Sequence, residues 1–135
     1  MSDQAEVLAL NAALYAAVES ADADALSRLW DDLDPEGAVC VHPGWPMLRG
    51  RSRVLRSYAA IMSGTSYLQF FLTDVRVSVL GDTAVVTCRE DILTAVSEED
   101  PGGAAVTTNV FLRRPDGWRL AVHHASPVLA GEDET

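Results

Sequence analysis

The sequence predicts an α+β fold in which three N-terminal helices pack against a strongly curved, mainly antiparallel sheet. Two observations predict this class. Apolar residues recur at helical spacing up to about residue 64, and from Tyr67 onward the period changes to two. Strands that follow one another closely in sequence pair in antiparallel order, so the helices gather on one face of the sheet. A curved sheet covered by helices leaves a cavity, where we expect any chemistry.

The helical part divides into three segments. Asp3 and Glu6 have the spacing of a capping box and open a first helix of about 16 residues. Residues 20–22 interrupt the helical pattern, and Asp22 is the expected N-cap of a second helix. A third helix is predicted over residues 51–62.

The strands follow from turn residues and from alternation. A short strand is predicted over residues 38–42, before Pro43. Pro115-Asp116-Gly117 is typical of a hairpin turn and joins the last two strands. We expect one domain over residues 1–130, followed by an acidic, frayed tail at 131–135. The long strands are predicted at residues 67–80, 83–96, 104–114 and 117–126.

The charge balance excludes some chemistry. The chain has 135 residues, of which 20 are Asp or Glu and 10 are Arg, and its net charge is −10. Because there is no Lys, Schiff-base chemistry, P-loop phosphate binding and lysine-base chemistry are excluded. A strongly negative chain also disfavours nucleic acid or an anionic membrane as the main partner.

Compartment signals are few. No apolar run approaches the length of about 18 residues that a transmembrane helix needs. The N-terminus lacks the basic and apolar regions of a signal peptide. Cys40 and Cys88 are distant in sequence, and we expect two free thiols on strands. These features predict a soluble cytoplasmic protein.

The order of elements and four local strings carry a family resemblance. The strings are Leu14-Tyr15 to Trp30, Val41-His42-Pro43 to Gly50, Thr108-Asn109-Val110-Phe111, and Gly117-Trp118-Arg119-Leu120 through His123-His124-Ala125-Ser126. In this order they resemble the nuclear transport factor 2-like (NTF2-like) superfamily, in particular its SnoaL-like branch. The resemblance implies a cystatin-like, cone-shaped α+β barrel and a homodimer formed through the sheet. The superfamily holds isomerases, cyclases, dehydratases and non-catalytic binders, so the fold leaves the function open.

The resemblance to ketosteroid isomerases assigns three residues. In those enzymes a Tyr on the first helix donates to the substrate oxygen, and Tyr15 occupies the matching place. Their Asp general base stands before a Pro, where this chain has His42 before Pro43. Their protonated Asp corresponds to Asn109. Two of the three positions depart from the isomerase pattern, which counts against steroid isomerase activity.

The substituted residues remain chemically coherent. An imidazole such as that of His42 can act as a base at neutral pH without the burial that an Asp requires. The amide of Asn109 donates at any pH, whereas a carboxyl must be kept protonated. The alternatives are a structural histidine at a strand end and, for Tyr15, a core residue with its hydroxyl at the edge.

Strand alternation adds further candidates. In the last strand, Leu120, Val122, His124 and Ser126 share a face that we expect to be concave, so that His124 points into the cavity and His123 points outward. The face that carries Cys88 also places Glu90 in an apolar row. A carboxylate there must be paired, protonated or functional.

Two kinds of partner for Glu90 remain open. Pairing with His42 or His124 would orient an imidazole, whereas an arginine such as Arg89 or Arg49 would make a structural ion pair. His42, Glu90 and His124 also form a conceivable two-His-one-carboxylate metal set. No local spacing of histidines supports that set, and we expect neither a metal nor another cofactor.

Several residues are candidates to line a ligand site. Trp45 stands in a loop between Gly44 and Pro46, which favours the mouth of the cavity. The other candidates are Trp30, Val122, Ser126, Cys88 and Met62. For Trp30 and Met62, packing in the core is the alternative.

These observations lead to one functional hypothesis and two alternatives. The hypothesis is a small-molecule-binding protein that transfers a proton on a carbonyl-containing apolar metabolite, as an isomerase, cyclase or dehydratase does. The first alternative is a non-catalytic ligand-binding or dimerisation domain. The second is an interaction module that acts through the exposed sheet face.

Overall fold

The computed structural model describes residues 2–94 and 102–129. Its helices are α1 (Asp3–Glu19), α2 (Ala23–Leu29) and α3 (Arg51–Gly64), with a 3₁₀ turn at Pro35–Gly37. None of the helices in these two ranges is long and apolar enough to cross a membrane.

The helix caps differ at one position from the prediction. The Asp22 side chain accepts the Ala25 N–H at 3.0 Å, which confirms it as the N-cap of α2. The N-cap of α1 is Ser2, whose hydroxyl accepts the Ala5 N–H at 3.1 Å. Asp3, the expected start of the capping box, instead binds Arg113 at 2.8 Å, because the folded chain brings that guanidinium next to it.

The sheet has six strands in the order β2-β1-β6-β5-β4-β3. β1 lies parallel to β6, and every other neighbouring pair is antiparallel. The α+β class with three helices on a mainly antiparallel sheet is therefore confirmed. The prediction did not include β2, and residues 95 and 96 of the predicted second long strand lie outside the described residues. The strands are β1 (Val39–Val41), β2 (Leu48–Arg49), β3 (Leu68–Leu80), β4 (Thr83–Thr94), β5 (Gly102–Arg114) and β6 (Gly117–Pro127).

A bulge in β6 decides which histidine faces the helices. Val110 pairs with Val122, but Phe111 pairs with Leu120, so Ala121 is an extra residue in β6. An extra residue reverses the alternation of faces beyond it. His123 is therefore buried and His124 is exposed. The predicted inward orientation of His124 is wrong for this reason.

The same reversal applies to two other residues of β6. Val122 and Ser126 share the face of His124 and border a groove on the outer side of the sheet. Their predicted place on the concave face is wrong as well.

The core fills the space between the helices and the inner face of the sheet. Trp30 belongs to this core and is fully buried, and Met62 packs against its edge. Both had been candidates to line a ligand site, and neither lines the cavity described below. Cys40 and Cys88 are free, buried thiols on strands, as predicted. The largest fully buried hydrophobic side chains are Trp30, Trp118, Phe111, Leu14, Leu26 and Leu120.

Candidate functional site

A cavity of about 320 Å³ lies between α1, α3 and the inner face of the sheet. Its wall is mostly apolar and aromatic, and Trp45, 41% exposed, stands where the cavity meets solvent. The residues that line it are Leu14, Tyr15, Val18, His42, Pro43, Trp45, Tyr58, Ile61, Thr65, Leu68, Phe70, Glu90, Ile92, Thr94 and His123.

Among the described residues, Glu90 is the one carboxyl in this wall, and its side chain is buried. The hydroxyls of Tyr15 and Thr107 both donate to its Oε2, at 2.7 and 2.6 Å. Its hydrogen-bond partners are therefore hydroxyls, neither a histidine nor the arginine that the sequence left open. Burial raises the pKa of the Glu90 carboxyl above its ordinary value, although the two hydroxyls partly oppose this shift.

Tyr15 lies on α1 and reaches the sheet through its hydroxyl. The hydroxyl donates to Glu90 and accepts from Nδ2 of Asn109 at 3.3 Å. Burial raises the pKa of Tyr15 far above its ordinary value, with the nearby Glu90 charge as a second cause. The phenol thus keeps its proton, which is directed at the carboxylate.

Asn109 lies behind the cavity wall and is fully buried. Its Nδ2 donates to Oδ1 of Asn11 at 2.8 Å and to the Tyr15 hydroxyl, so both amide hydrogens have protein acceptors. Oδ1 lies 2.6 Å from Nδ1 of His123. The expected role of Asn109 as a donor to a substrate oxygen is therefore wrong.

His42 follows β1 and is held by α3. The Ser57 hydroxyl donates to the Val54 carbonyl at 2.6 Å, so its oxygen accepts the proton of Nε2 of His42 at 2.8 Å. This bond leaves Nδ1 unprotonated. The rings of Tyr58 and Trp45 meet the imidazole edge-on, with centroids 4.8 and 4.9 Å away. Burial lowers the pKa of His42 to about 4, so the imidazole is neutral at pH 7.

His123 lines the cavity, and the predicted outward orientation of this residue is wrong. Its ring centroid is 6.0 Å from that of His42. Burial lowers the pKa of His123 to about 3, and the neighbouring histidines add to this shift. Adjacent histidines on a strand point to opposite faces, so the pair His123-His124 predicts one inward imidazole. Which one points inward depends on the bulge, for which the sequence offers no signal.

The two thiols are not candidate nucleophiles. Burial raises the pKa of Cys40 to about 12 and that of Cys88 to about 11, so both are protonated at neutral pH. Cys88 Sγ lies 3.9 Å from the Tyr15 hydroxyl. The prediction that Cys88 lines the cavity is wrong.

A family model described as the SnoaL-like domain matches residues 7–130. The chain belongs to this family. The resemblance to the SnoaL-like branch of the NTF2-like superfamily is thereby confirmed, and with it the cystatin-like fold class that solved relatives share.

Two solved structures illustrate the likeness of this SnoaL-like domain to known proteins. One, from Streptomyces avermitilis, is provisionally described as a dehydratase of the NTF2-like family; it is 54% identical with a TM-score of 0.86, over 95% of this chain and 97% of that chain. An NTF2-like protein with a cystatin-like fold from Novosphingobium aromaticivorans is 26% identical with a TM-score of 0.75, over 97% of this chain and 85% of that chain.

A curated plant protein also matches. The F-box protein SKIP8 of Arabidopsis thaliana is 25% identical over 128 residues, which is 95% of this chain and 52% of that protein. The SnoaL-like chain thus spans about half the length of this curated relative.

The geometry of the SnoaL-like domain does not assemble the metal set considered above. Within residues 2–94 and 102–129, no group of three or more His, Cys, Asp or Glu side chains is placed to hold a metal ion. His124 lies on the opposite face of the sheet from His42 and Glu90, because of the bulge.

Replacing Glu90 by Gln is expected to stabilise the domain at pH 7 by on the order of 1 kcal/mol. The folded-state pKa of Glu90 is raised, so the stability this carboxyl contributes is present below its ordinary pKa and is lost as the pH rises through the folded value. A Gln carbonyl still accepts from Tyr15 and Thr107 without a buried charge. Urea unfolding at pH 7 and pH 4 should show a gain that is smaller at pH 4.

The exposed Glu36 provides the matched control, because Glu36→Gln removes a charge that is already in water. We expect that variant to unfold at the wild-type urea concentration at both pH values. A Glu90→Gln variant that is less stable than the wild type at pH 7 would contradict the prediction.

Proposed function

We propose that the cavity binds a small, uncharged, carbonyl-containing metabolite and that the domain catalyses cofactor-free proton transfer on it, as a dehydratase. The observation that carries this proposal is the meeting of two neutral imidazoles and one buried carboxyl in one mostly apolar cavity. The 54% identical relative provisionally described as a dehydratase supports the reaction class.

The wall of the cavity favours an uncharged ligand. Within residues 2–94 and 102–129 no arginine lines it, and both imidazoles are neutral at pH 7, so a carboxylate or phosphate would meet no counter-charge from these residues. The volume of about 320 Å³ lies at the small end of ligand pockets. Aromatic side chains such as Tyr58, Phe70 and Trp45 suit a flat, apolar body.

The residues of the wall supply both a base and an acid. An unprotonated ring nitrogen of His42 or His123 takes the proton from the carbon next to the carbonyl, and the C–H electron pair becomes the new C=C bond. The β-hydroxyl leaves with the electrons of its C–O bond and takes a proton from the acid. The substrate therefore loses one water molecule, and the proton held by the imidazole returns to the acid before the next turnover.

Glu90 in its protonated form is the proposed acid. Oε2 already accepts two hydroxyl hydrogens, so a proton on this carboxyl belongs on Oε1. Burial favours the protonated form because it disfavours the charge. This arrangement separates the roles, with a neutral acid and neutral bases in one cavity.

The test begins with mass spectrometry of small molecules that co-purify with the protein, followed by turnover assays on the identified compound. His42→Gln and His123→Gln are each expected to lower kcat, by roughly 10²–10⁴-fold for the residue that acts as base. The exposed residue His124 is the control, and His124→Gln should keep the wild-type rate. If both cavity variants bind the compound and convert it at the wild-type rate, the proposed function is wrong.

We also propose that the open face of the sheet forms a homodimer, as the resemblance implied. Val106 lies on β5, a central strand, is 52% exposed, and borders the same groove as the half-buried Val122. Val106→Asp is expected to turn a dimer into a monomer in size-exclusion chromatography with light scattering, because a charged carboxylate would have to leave water when the interface forms. Leu33→Asp, at an exposed apolar residue away from this face, should leave the dimer intact. A monomeric wild type would contradict the proposal.

A further inference from the structure

The amide of Asn109 joins the acid and the base of the proposed reaction. Its Nδ2 donates to the hydroxyl of Tyr15, which donates to Glu90. Its Oδ1 lies 2.6 Å from Nδ1 of His123. Asn109 itself is fully buried and does not line the cavity, so it contacts the proposed base directly and the proposed acid through Tyr15, without touching a ligand.

The direction of every bond in this chain follows from the carboxylate. Oε2 of Glu90 accepts whether the carboxyl is ionised or carries its proton on Oε1, so the Tyr15 proton points at Glu90 and the Tyr15 oxygen is left to accept. The NH₂ group of Asn109 must then face Tyr15, and Oδ1 of Asn11 is a second acceptor on the same side, at 2.8 Å. The carbonyl oxygen of Asn109 consequently faces His123.

A carbonyl oxygen accepts only, so Nδ1 of His123 must carry the ring proton. In a neutral imidazole the other nitrogen, Nε2, is then unprotonated. The Nδ1 edge of the ring is covered by Asn109, which leaves the Nε2 edge to face the cavity that His123 lines.

We propose that Asn109 is a positioning residue that holds His123 as the Nδ1–H tautomer, so that an unprotonated Nε2 faces the ligand. The assignment rests on the proposed function, because it explains how one wall imidazole is prepared to accept a proton. Holding the wrong tautomer is costly in general: in a serine protease it lowers kcat by about 10⁴-fold. Asn11 supports the same orientation through its contact with Nδ2 of Asn109.

The experiment uses the ligand-free protein and therefore needs no substrate. Long-range ¹H–¹⁵N correlation spectra distinguish protonated from unprotonated ring nitrogens, and His42→Gln and His124→Gln assign the three histidines. We expect His123 at pH 7 to show a protonated Nδ1 and an unprotonated Nε2 in the wild type. An Nε2–H tautomer in the wild type would overturn the proposal.

Two variants of Asn109 separate positioning from packing. Asn109→Leu removes the acceptor with little change in size, and His123 should then populate both tautomers. Asn109→Asp restores an acceptor, and the Nδ1 proton should stay. A folded Asn109→Leu protein that keeps the pure Nδ1–H tautomer overturns the proposal, as does an Asn109→Asp protein that loses it. If Asn109→Leu does not fold, the wild-type and Asn109→Asp spectra still test whether His123 is the Nδ1–H tautomer.

The proposed tautomer and the proposed function can be refuted independently of each other. A wild type with the expected tautomer but no turnover of any co-purified compound would refute the proposed function and leave the positioning role standing. Turnover that depends on His42 alone, with His123 as the Nε2–H tautomer, would refute the positioning role and leave the proposed function standing.

Discussion

The free energy of unfolding is expected to fall as the pH is lowered from 7 to 4.5, by up to about 3 kcal/mol for each of two buried imidazoles. His42 and His123 have folded-state pKa values of about 4 and about 3, against about 6.5 in the unfolded chain. Between these values the unfolded chain binds the protons and the folded chain does not. Protonation therefore favours unfolding over this pH range, and chemical denaturation at several pH values measures the effect.

The sign of this pH dependence also depends on the other groups whose pKa changes on folding. A histidine with a depressed pKa contributes stability that is complete above its unfolded pKa and is lost as the pH falls toward the folded value. Glu90 opposes it, because a raised pKa contributes stability that grows as the pH falls. Arg113 and Arg114 lower the pKa of Asp3 and Asp31, whose contributions are lost mainly below pH 4. Because two histidines act against one glutamate, the free energy of unfolding falls between pH 7 and 4.5.

Single variants divide the effect between the groups. His123→Gln is expected to remove about half of the histidine contribution to the slope of stability against pH, and His42→Gln the other half. His124 lies on the opposite face of the sheet from these two imidazoles and is the matched control, so in the Val106→Asp monomer His124→Gln should leave the slope unchanged. A His123→Gln variant with an unchanged slope would show that His123 is not a buried, neutral group.

Phe111→Ala is expected to lower the free energy of unfolding by about 3–5 kcal/mol. Phe111 lies on β5, is fully buried, and pairs with Ala84 on one side and Leu120 on the other. Truncation removes the buried ring and leaves a cavity that rigid strands on both sides cannot fill. Small domains have only about 5–15 kcal/mol of stability, so the midpoint of urea unfolding should drop strongly.

Phe71 is the matched control for this prediction. It has the same side chain on β3 but is 50% exposed and lies opposite Asp91. Phe71→Ala should cost less than about 1 kcal/mol, because half of the ring is already in contact with water. Equal losses from the two variants would contradict the burial that the fold assigns to Phe111.

The difference between Glu90 and His124 shows where strand alternation can be trusted. Alternation predicts that His124 lies on the concave face and that Glu90 lies in an apolar row of its strand. It holds for Glu90 because the pairing of β4 with β5 runs without a shift from Thr83 to Leu93. It fails for His124 because β6 carries one extra residue, Ala121. Alternation propagates an error of one residue to every later side chain, so a single bulge moves His123 into the cavity.

Asn109 illustrates a second limit. The sequence and its family resemblance placed it near Tyr15, and the two side chains do lie in contact. Its role depends on what lies on its other sides, which are Asn11, 98 residues earlier, and His123 on the next strand. Hydrogen-bond direction in a buried network follows from all partners together, and those of Asn109 come from two separate elements, α1 and β6.

The sequence alone determined the α+β class, the order of helices and strands, the SnoaL-like family and the absence of lysine chemistry. Each of these follows from local periodicity, turn residues, composition or string order, which do not depend on how distant segments meet. The tertiary structure decided which histidine enters the cavity, that Glu90 is bound by hydroxyls, and that Asn109 faces His123. These depend on a one-residue register shift and on contacts between distant segments, so no local pattern could supply them. The predicted α+β fold thus implied a cavity between the helices and the sheet, and the bulge in β6 decided which histidine lines it.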